Sequence, residues 1–204
     1  MKSIILIFLF ISSFGYCQTI KQKEFTYNEF LGFVKKYHPM VKSANLNISF
    51  AQANLMRAYY DQKDYPNAVV YADKVISNPK TDDKVKSDAQ IIIARAAFNS
   101  GDLLKARQAY LKLLAIAKGE LAAEALYYEA YFKNSDGKFE ESNTVVQKLT
   151  KDYSGYKYFG AKGLVVMAKN FYGLKDSFQA TYILDSVIKN FSSFPDVVEE
   201  AQKE

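Results

Sequence analysis

The chain reads as an all-α protein, and three observations carry that expectation. Apolar residues recur at helical spacing through Asp88–Leu114, DAQIIIARAAFNSGDLLKARQAYLKLL. Ile93, Ala94 and Ala97 mark the apolar side of one helix. Leu104, Ala106, Ala109, Tyr110, Leu113 and Leu114 mark that of a second. The break between them, Asn99-Ser100-Gly101-Asp102, holds a glycine suited to the left-handed end of a helix and an aspartate suited to capping the next. The whole chain of 204 residues has only four Pro and nine Gly, a helical composition and not that of a β-sandwich. An αα-hairpin of this size cannot bury its apolar face alone, so like units are expected to stack on it.

The turn does recur. Lys63-Asp64-Tyr65-Pro66-Asn67-Ala68, Gly101-Asp102-Leu103-Leu104-Lys105-Ala106, Gly137-Lys138-Phe139-Glu140-Glu141-Ser142 and Lys175-Asp176-Ser177-Phe178-Gln179-Ala180 align as four copies. Their small residues Ala68, Ala106, Ser142 and Ala180 lie 38, 36 and 38 positions apart. Seven positions before each turn stand Met56, Ala94, Ala130 and Ala168, mostly small enough to let paired helices approach closely. Over about residues 50–191 this pattern resembles the tetratricopeptide repeat (TPR) family, whose unit runs about 34 residues. The resemblance implies a solenoid of about four αα-hairpins wound as a right-handed superhelix. It also implies a non-enzymatic role in binding other proteins. No Trp opens the first helices, and Ser142 stands where the other copies have Ala.

Taken in order, the chain begins with Lys2 and an apolar run from Ile4 to Ile11, followed by Ser12-Ser13-Phe14-Gly15. That run is far shorter than the roughly 20 apolar residues of a membrane span, so residues 1–17 read as an export signal. Two endings are open at Cys17: cleavage just after it, or its retention as the lipid-modified first residue of an outer-membrane lipoprotein. As it is the chain's one Cys, intramolecular disulfides are excluded either way.

Residues 18–49 read as an N-terminal helical cap. Phe30, Leu31, Phe33 and Val34 follow a polar start at Thr26-Tyr27-Asn28, and His38-Pro39 stops that helix. A second helix resumes from Met40 to Ala58, and Met40 to Tyr60 doubles as the first helix of repeat one. The run FTYNEFLGFVKKYHPMVKSANLNISFAQANLMRA resembles the start of the TolC-type outer-membrane efflux proteins. The later chain lacks break-free helices of the length an α-barrel needs, so a channel is not expected. Two loops separate repeats: Ser77–Asp83, where Asp82 or Asp83 can cap the next helix, and the Tyr-rich Lys151–Tyr156. Phe194-Pro195-Asp196-Val197-Val198-Glu199 opens a capping helix over 192–204, with Asp196 and Glu199 spaced as a capping box.

In the TPR arrangement the first helices line the concave face. Residues ten, six and three before each turn then share an exposed stripe. The ten-before row is Ala53, Ile91, Tyr127 and Val165, the six-before row Arg57, Arg95, Tyr131 and Lys169, and the three-before row Tyr60, Phe98, Asn134 and Tyr172. Arg57, Tyr60, Arg95, Phe98, Tyr127, Tyr131, Lys169 and Tyr172 are therefore the expected partner-binding groove. Its chemistry suits an acidic peptide or partner helix with apolar anchors. The plain alternative is that these residues are only the solvated face of packed helices.

The formal charge of +5 is carried mostly by dispersed Lys, with three Arg and no basic block, which argues against nucleic acid. The single His38 sits in a turn, Glu140-Glu141 and Glu199-Glu200 are adjacent pairs that diverge on a helix, and no phosphate loop or metal-ligand spacing occurs. No enzyme and no cofactor is expected. The reading is an exported interaction scaffold of the bacterial cell envelope, in the periplasm or at the periplasmic face of the outer membrane. The alternative is an outer-membrane assembly or efflux-associated component.

Overall fold

The structure, a computed structural model, describes residues 44–204 and Glu29. Cys17, His38 and most of the TolC-like segment lie outside the described residues. The chain divides into two units, Met1–Ile48 and Ser49–Glu204, and the packing that follows is that of the second. Among the residues of the run 44–204 there are nine helices and no strand: α1 (Ala44–Asp61), α2 (Tyr65–Ser77), α3 (Asp83–Asn99), α4 (Leu103–Leu114), α5 (Gly119–Ser135), α6 (Phe139–Asp152), α7 (Lys157–Gly173), α8 (Ser177–Asn190) and α9 (Pro195–Lys203).

The four aligned turns share one backbone geometry. Lys63, Gly101, Gly137 and Lys175 take positive φ of 60°, 82°, 73° and 64°. In each copy the next residue's N–H reaches back five positions, Asp64 to Tyr59, Asp102 to Ala97, Lys138 to Lys133 and Asp176 to Phe171. This left-handed stop satisfies carbonyls that a helix end leaves open. The following helix is then capped by a carboxylate in three copies: Asp64, Asp102 and Asp176 accept from the N–H groups of Asn67, Lys105 and Gln179. Lys138 holds the same place without a side-chain cap.

The small residues lie where paired helices meet. Met56, Ala94, Ala130 and Ala168 are fully buried, and so are Ala68, Ala106, Ser142 and Ala180. Ser142 keeps its hydroxyl satisfied by donating to the Ala130 carbonyl at 2.8 Å and accepting from the buried Asn170 amide at 2.8 Å. Asn170 also bonds Asn143 and accepts from Asn134, so this polar group is closed within the core.

From α2 onward each helix packs on its neighbours in sequence, with α5 also against α7 and α7 against α9, and α1 meets α2 through the stacked rings of Tyr59 and Tyr71. The core passes along the chain in three clusters. The first takes residues from α1 through α5, including Met56, Ala94, Tyr110 and Phe132. The second joins α5, α6 and α7 through Tyr127, Val146, Leu149 and Val166. The third joins α7, α8 and α9 through Val165, Leu184, Val187 and Val197. Helices α5 and α7 thus feed two clusters each, from different sides.

Three expectations are corrected. Leu104 is 70% exposed, because the buried side of α4 is set by Ala106, Ala109, Tyr110 and Leu113 and Leu104 falls outside that stripe. Asp196 and Glu199 do not form a capping box, since the N-cap is Phe194 with Pro195 opening the helix. Asp196 instead accepts the Tyr158 hydroxyl, and Glu199 takes Lys203. Lys151 and Asp152 belong to α6, so the loop before α7 is shorter than composition suggests.

Candidate functional site

The first-helix rows are placed as follows. The ten-before row is not exposed: Ala53, Ile91, Tyr127 and Val165 are all buried. Four positions on a helix is about 40° more than one full turn, and here that extra rotation carries the row onto the core side. The six-before row is partnered within the chain. Arg57 donates to Asp88 on α3 at 2.8 Å. Arg95 lays its guanidinium fork on Glu124 of α5, with Nε to Oε1 at 2.8 Å. Lys169 reaches Glu200 of α9 and Glu204, each at 2.9 Å. Tyr131, half-buried, packs against Phe98.

In the three-before row, Tyr60 accepts the Asn99 amide at 3.1 Å. Phe98 meets Tyr128 edge-on, with ring centroids 4.8 Å apart. Asn134 donates to Asn170, and Tyr172 is exposed. Of the eight residues expected to form a groove, Tyr60, Arg95 and Tyr127 meet around one cavity. Arg57, Phe98, Tyr131, Lys169 and Tyr172 are not among its lining residues.

That cavity holds about 210 Å³. Helix α1 gives Tyr60, and α3 gives Arg95 and Asn99. Helix α5 supplies Glu124, Tyr127 and Tyr128, and α7 supplies Tyr158, Phe159 and Lys162. Glu124 is only 3% exposed and fully engaged, since it also accepts the Tyr110 hydroxyl at 3.2 Å. The hydrogen bond to Glu124 holds Arg95 protonated against the opposing effect of burial. Its charge is cancelled in place, as a buried carboxylate requires.

The phenols of the wall stay neutral. Burial pushes Tyr127, Tyr128 and Tyr60 above the ordinary tyrosine value of 10.0. Burial and the hydrogen bond to Asp196 raise Tyr158 to about 12. These side chains therefore offer ring faces and hydroxyls, not proton transfer near neutrality. Among the described residues no group of three His, Cys, Asp or Glu comes together as metal ligands. None of the described helices is long and apolar enough to cross a membrane.

Sequence reasoning missed Asn99, Glu124, Tyr128, Tyr158, Phe159 and Lys162. Each lies on a first helix, but none falls in the three rows counted back from the turns. A signal was present for part of the set: acids stand 31, 29 and 31 positions after the three row cations. No protein-family model matches the chain, and no curated protein matches its sequence.

Proposed function

We propose that this chain is a non-enzymatic binding scaffold of the cell envelope, built as a TPR-like solenoid of four hairpins. The hairpins are α1–α2, α3–α4, α5–α6 and α7–α8, with α9 as the closing helix. The observation that carries the reading is the fourfold turn: one left-handed residue, one back-reaching N–H and one buried small residue in each copy. Like units that hand one core to the next are what a stacked array requires, and such arrays work mainly by presenting a long surface. The envelope location follows from the export signal read in residues 1–17.

On this reading the partner meets the first-helix side, but not through the cation row. Arg57, Arg95 and Lys169 act as ties between successive first helices, because each already faces a carboxylate. Partner contact then falls to the open edge of the cavity and to exposed residues near it, Asn99 above all, and to Tyr172 farther along. A photo-crosslinking amino acid introduced at Asn99 or at Tyr172 is expected to give a protein adduct in envelope extracts. The same probe at Leu111 on α4 or Phe178 on α8, both exposed, is expected to give none. Adducts from the second-helix positions alone would move the partner to the other side. No adduct from any of the four would remove the scaffold reading.

A further inference from the structure

The ties between first helices follow one rule that fails at a single step. A cation meets a carboxylate on the next first helix, at a separation of 31 for Arg57–Asp88 and Lys169–Glu200 and 29 for Arg95–Glu124. At the remaining step the cation is replaced by Tyr131, and 31 positions on, where the acid belongs, stands Lys162. Lys162 Nζ lies 4.9 Å from the centroid of the Tyr127 ring and 5.7 Å from that of Tyr158. Among the described residues it forms no ion pair with a carboxylate.

This break lies in the wall of the 210 Å³ cavity. Arg95 and Glu124 cancel there and Glu200 behind the wall is taken by Lys169, so Lys162 is the uncancelled charge of the lining, with the Asp196 carboxylate held behind the Tyr158 hydroxyl. Aromatic faces attract cations, but Lys162 already fills that role, and an arriving cation would meet repulsion. An anion gains instead. Tyr60 contributes further, since its oxygen accepts from Asn99 and its own hydrogen remains to donate. The Tyr158 hydroxyl is committed to Asp196, which leaves its ring as an apolar face. The pocket is open to solvent, and its volume of about 210 Å³ is on the scale of one ring with a carboxylate.

We infer that the cavity binds a carboxylate carried on a planar apolar body, with the charge on Lys162 and the ring against Tyr127, Tyr158 and Phe159. The acid can come from a free aromatic acid or from an acidic–aromatic segment of a protein partner. Only the second source rests on the scaffold reading. Should the crosslinking fail while a free acid binds, the scaffold falls and the site stands.

The test is calorimetric titration of the full chain with benzoate, with uncharged benzamide, and with the blocked dipeptide acetyl-Glu-Phe-amide. Benzoate or the dipeptide is expected to bind, with benzamide weaker on the order of tenfold, the loss of one charge-assisted contact. Lys162→Met keeps the apolar stem and is expected to abolish the preference for the anion. Tyr131→Glu places a carboxylate at the register position opposite Lys162. It should abolish the preference too, with the helical content by circular dichroism kept at the parent's level to show that the fold survives the lost ring contacts. Binding of benzoate alone assigns the site to free acids, and binding of the dipeptide extends it to a partner segment. The inference is overturned if neither anion binds, if benzamide binds equally, or if Lys162→Met keeps the parent's affinity.

Discussion

The residues that open the four aligned turns hold the same left-handed backbone, and two of them are lysines. A side chain in that conformation costs roughly 1–2 kcal/mol that glycine avoids. A Cβ at Gly101 or Gly137 would meet nothing within 4 Å, so substitution there tests backbone conformation without a packing clash. Gly137→Ala is expected to lose about 1 kcal/mol of stability. Lys175→Gly is expected to gain a smaller amount, about 0.5 kcal/mol, because the freer unfolded chain offsets part of the relief. Urea midpoints of the two variants decide it, and opposite signs are the required outcome. Ser142 makes the complementary point about a residue that departs from its copies. Its hydroxyl stands where an Ala methyl stands elsewhere, but Asn170 and the Ala130 carbonyl receive it, so the departure leaves no buried group unpaired.

Between helices, the ion pairs differ in what surrounds them, and burial decides which matters. Arg57–Asp88 is a surface pair whose side chains are 44% and 31% exposed, worth at most about 1 kcal/mol. Glu124 is buried and takes both Arg95 and Tyr110, so its loss strands a guanidinium. Asp88→Asn is therefore expected to cost under about 1 kcal/mol. Glu124→Gln should cost about 2–3 kcal/mol, reduced from the full buried-pair value because Arg95 reaches solvent on one side. Equal shifts in chemical denaturation would mean that the tie between α3 and α5 is no stronger than a surface pair.

Helix ends and hairpins were legible because they leave local marks: Gly101-Asp102 and Lys175-Asp176 announce their turn within two residues. The α1 and α3 cations were legible as a row, yet not as ties. Asp88 and Glu124 become their neighbours only when successive first helices lie side by side, which no local pattern states. Leu104 misled for a related reason, since helical spacing admits it beside Ala106 and only packing assigns it outward. Lys162 was invisible because its meaning is the absence of the acid its register predicts.

At the scale of the whole helical unit, the aromatic residues make the core sensitive to alkali. The chain has 16 Tyr and no Trp, and the shared clusters place several phenols where ionisation is opposed. Burial drives Tyr110 and Tyr127 far above the ordinary value of 10.0 and raises Tyr60 and Tyr128, while Tyr158 rises to about 12. A folded pKa above the unfolded one means the unfolded chain releases protons first as pH rises. The stabilisation is thus complete below about pH 10 and is lost as pH climbs above it, with the Tyr158 share gone by about 12. Each deeply buried phenol removes up to about 1.4 kcal/mol per pH unit over that range. Because Tyr110 belongs to the first cluster and Tyr127 to the second, and α5 feeds both, their ionisation should release helices together instead of fraying one end. Circular dichroism is expected to change in a single step above pH 10, with a fraction of the tyrosinate absorbance, that of the buried phenols, rising at the same step and Lys162→Met leaving the midpoint nearly unchanged. A gradual titration of all phenols near 10 with helicity intact would mean that these rings are open to water, and the relayed core would have to be abandoned.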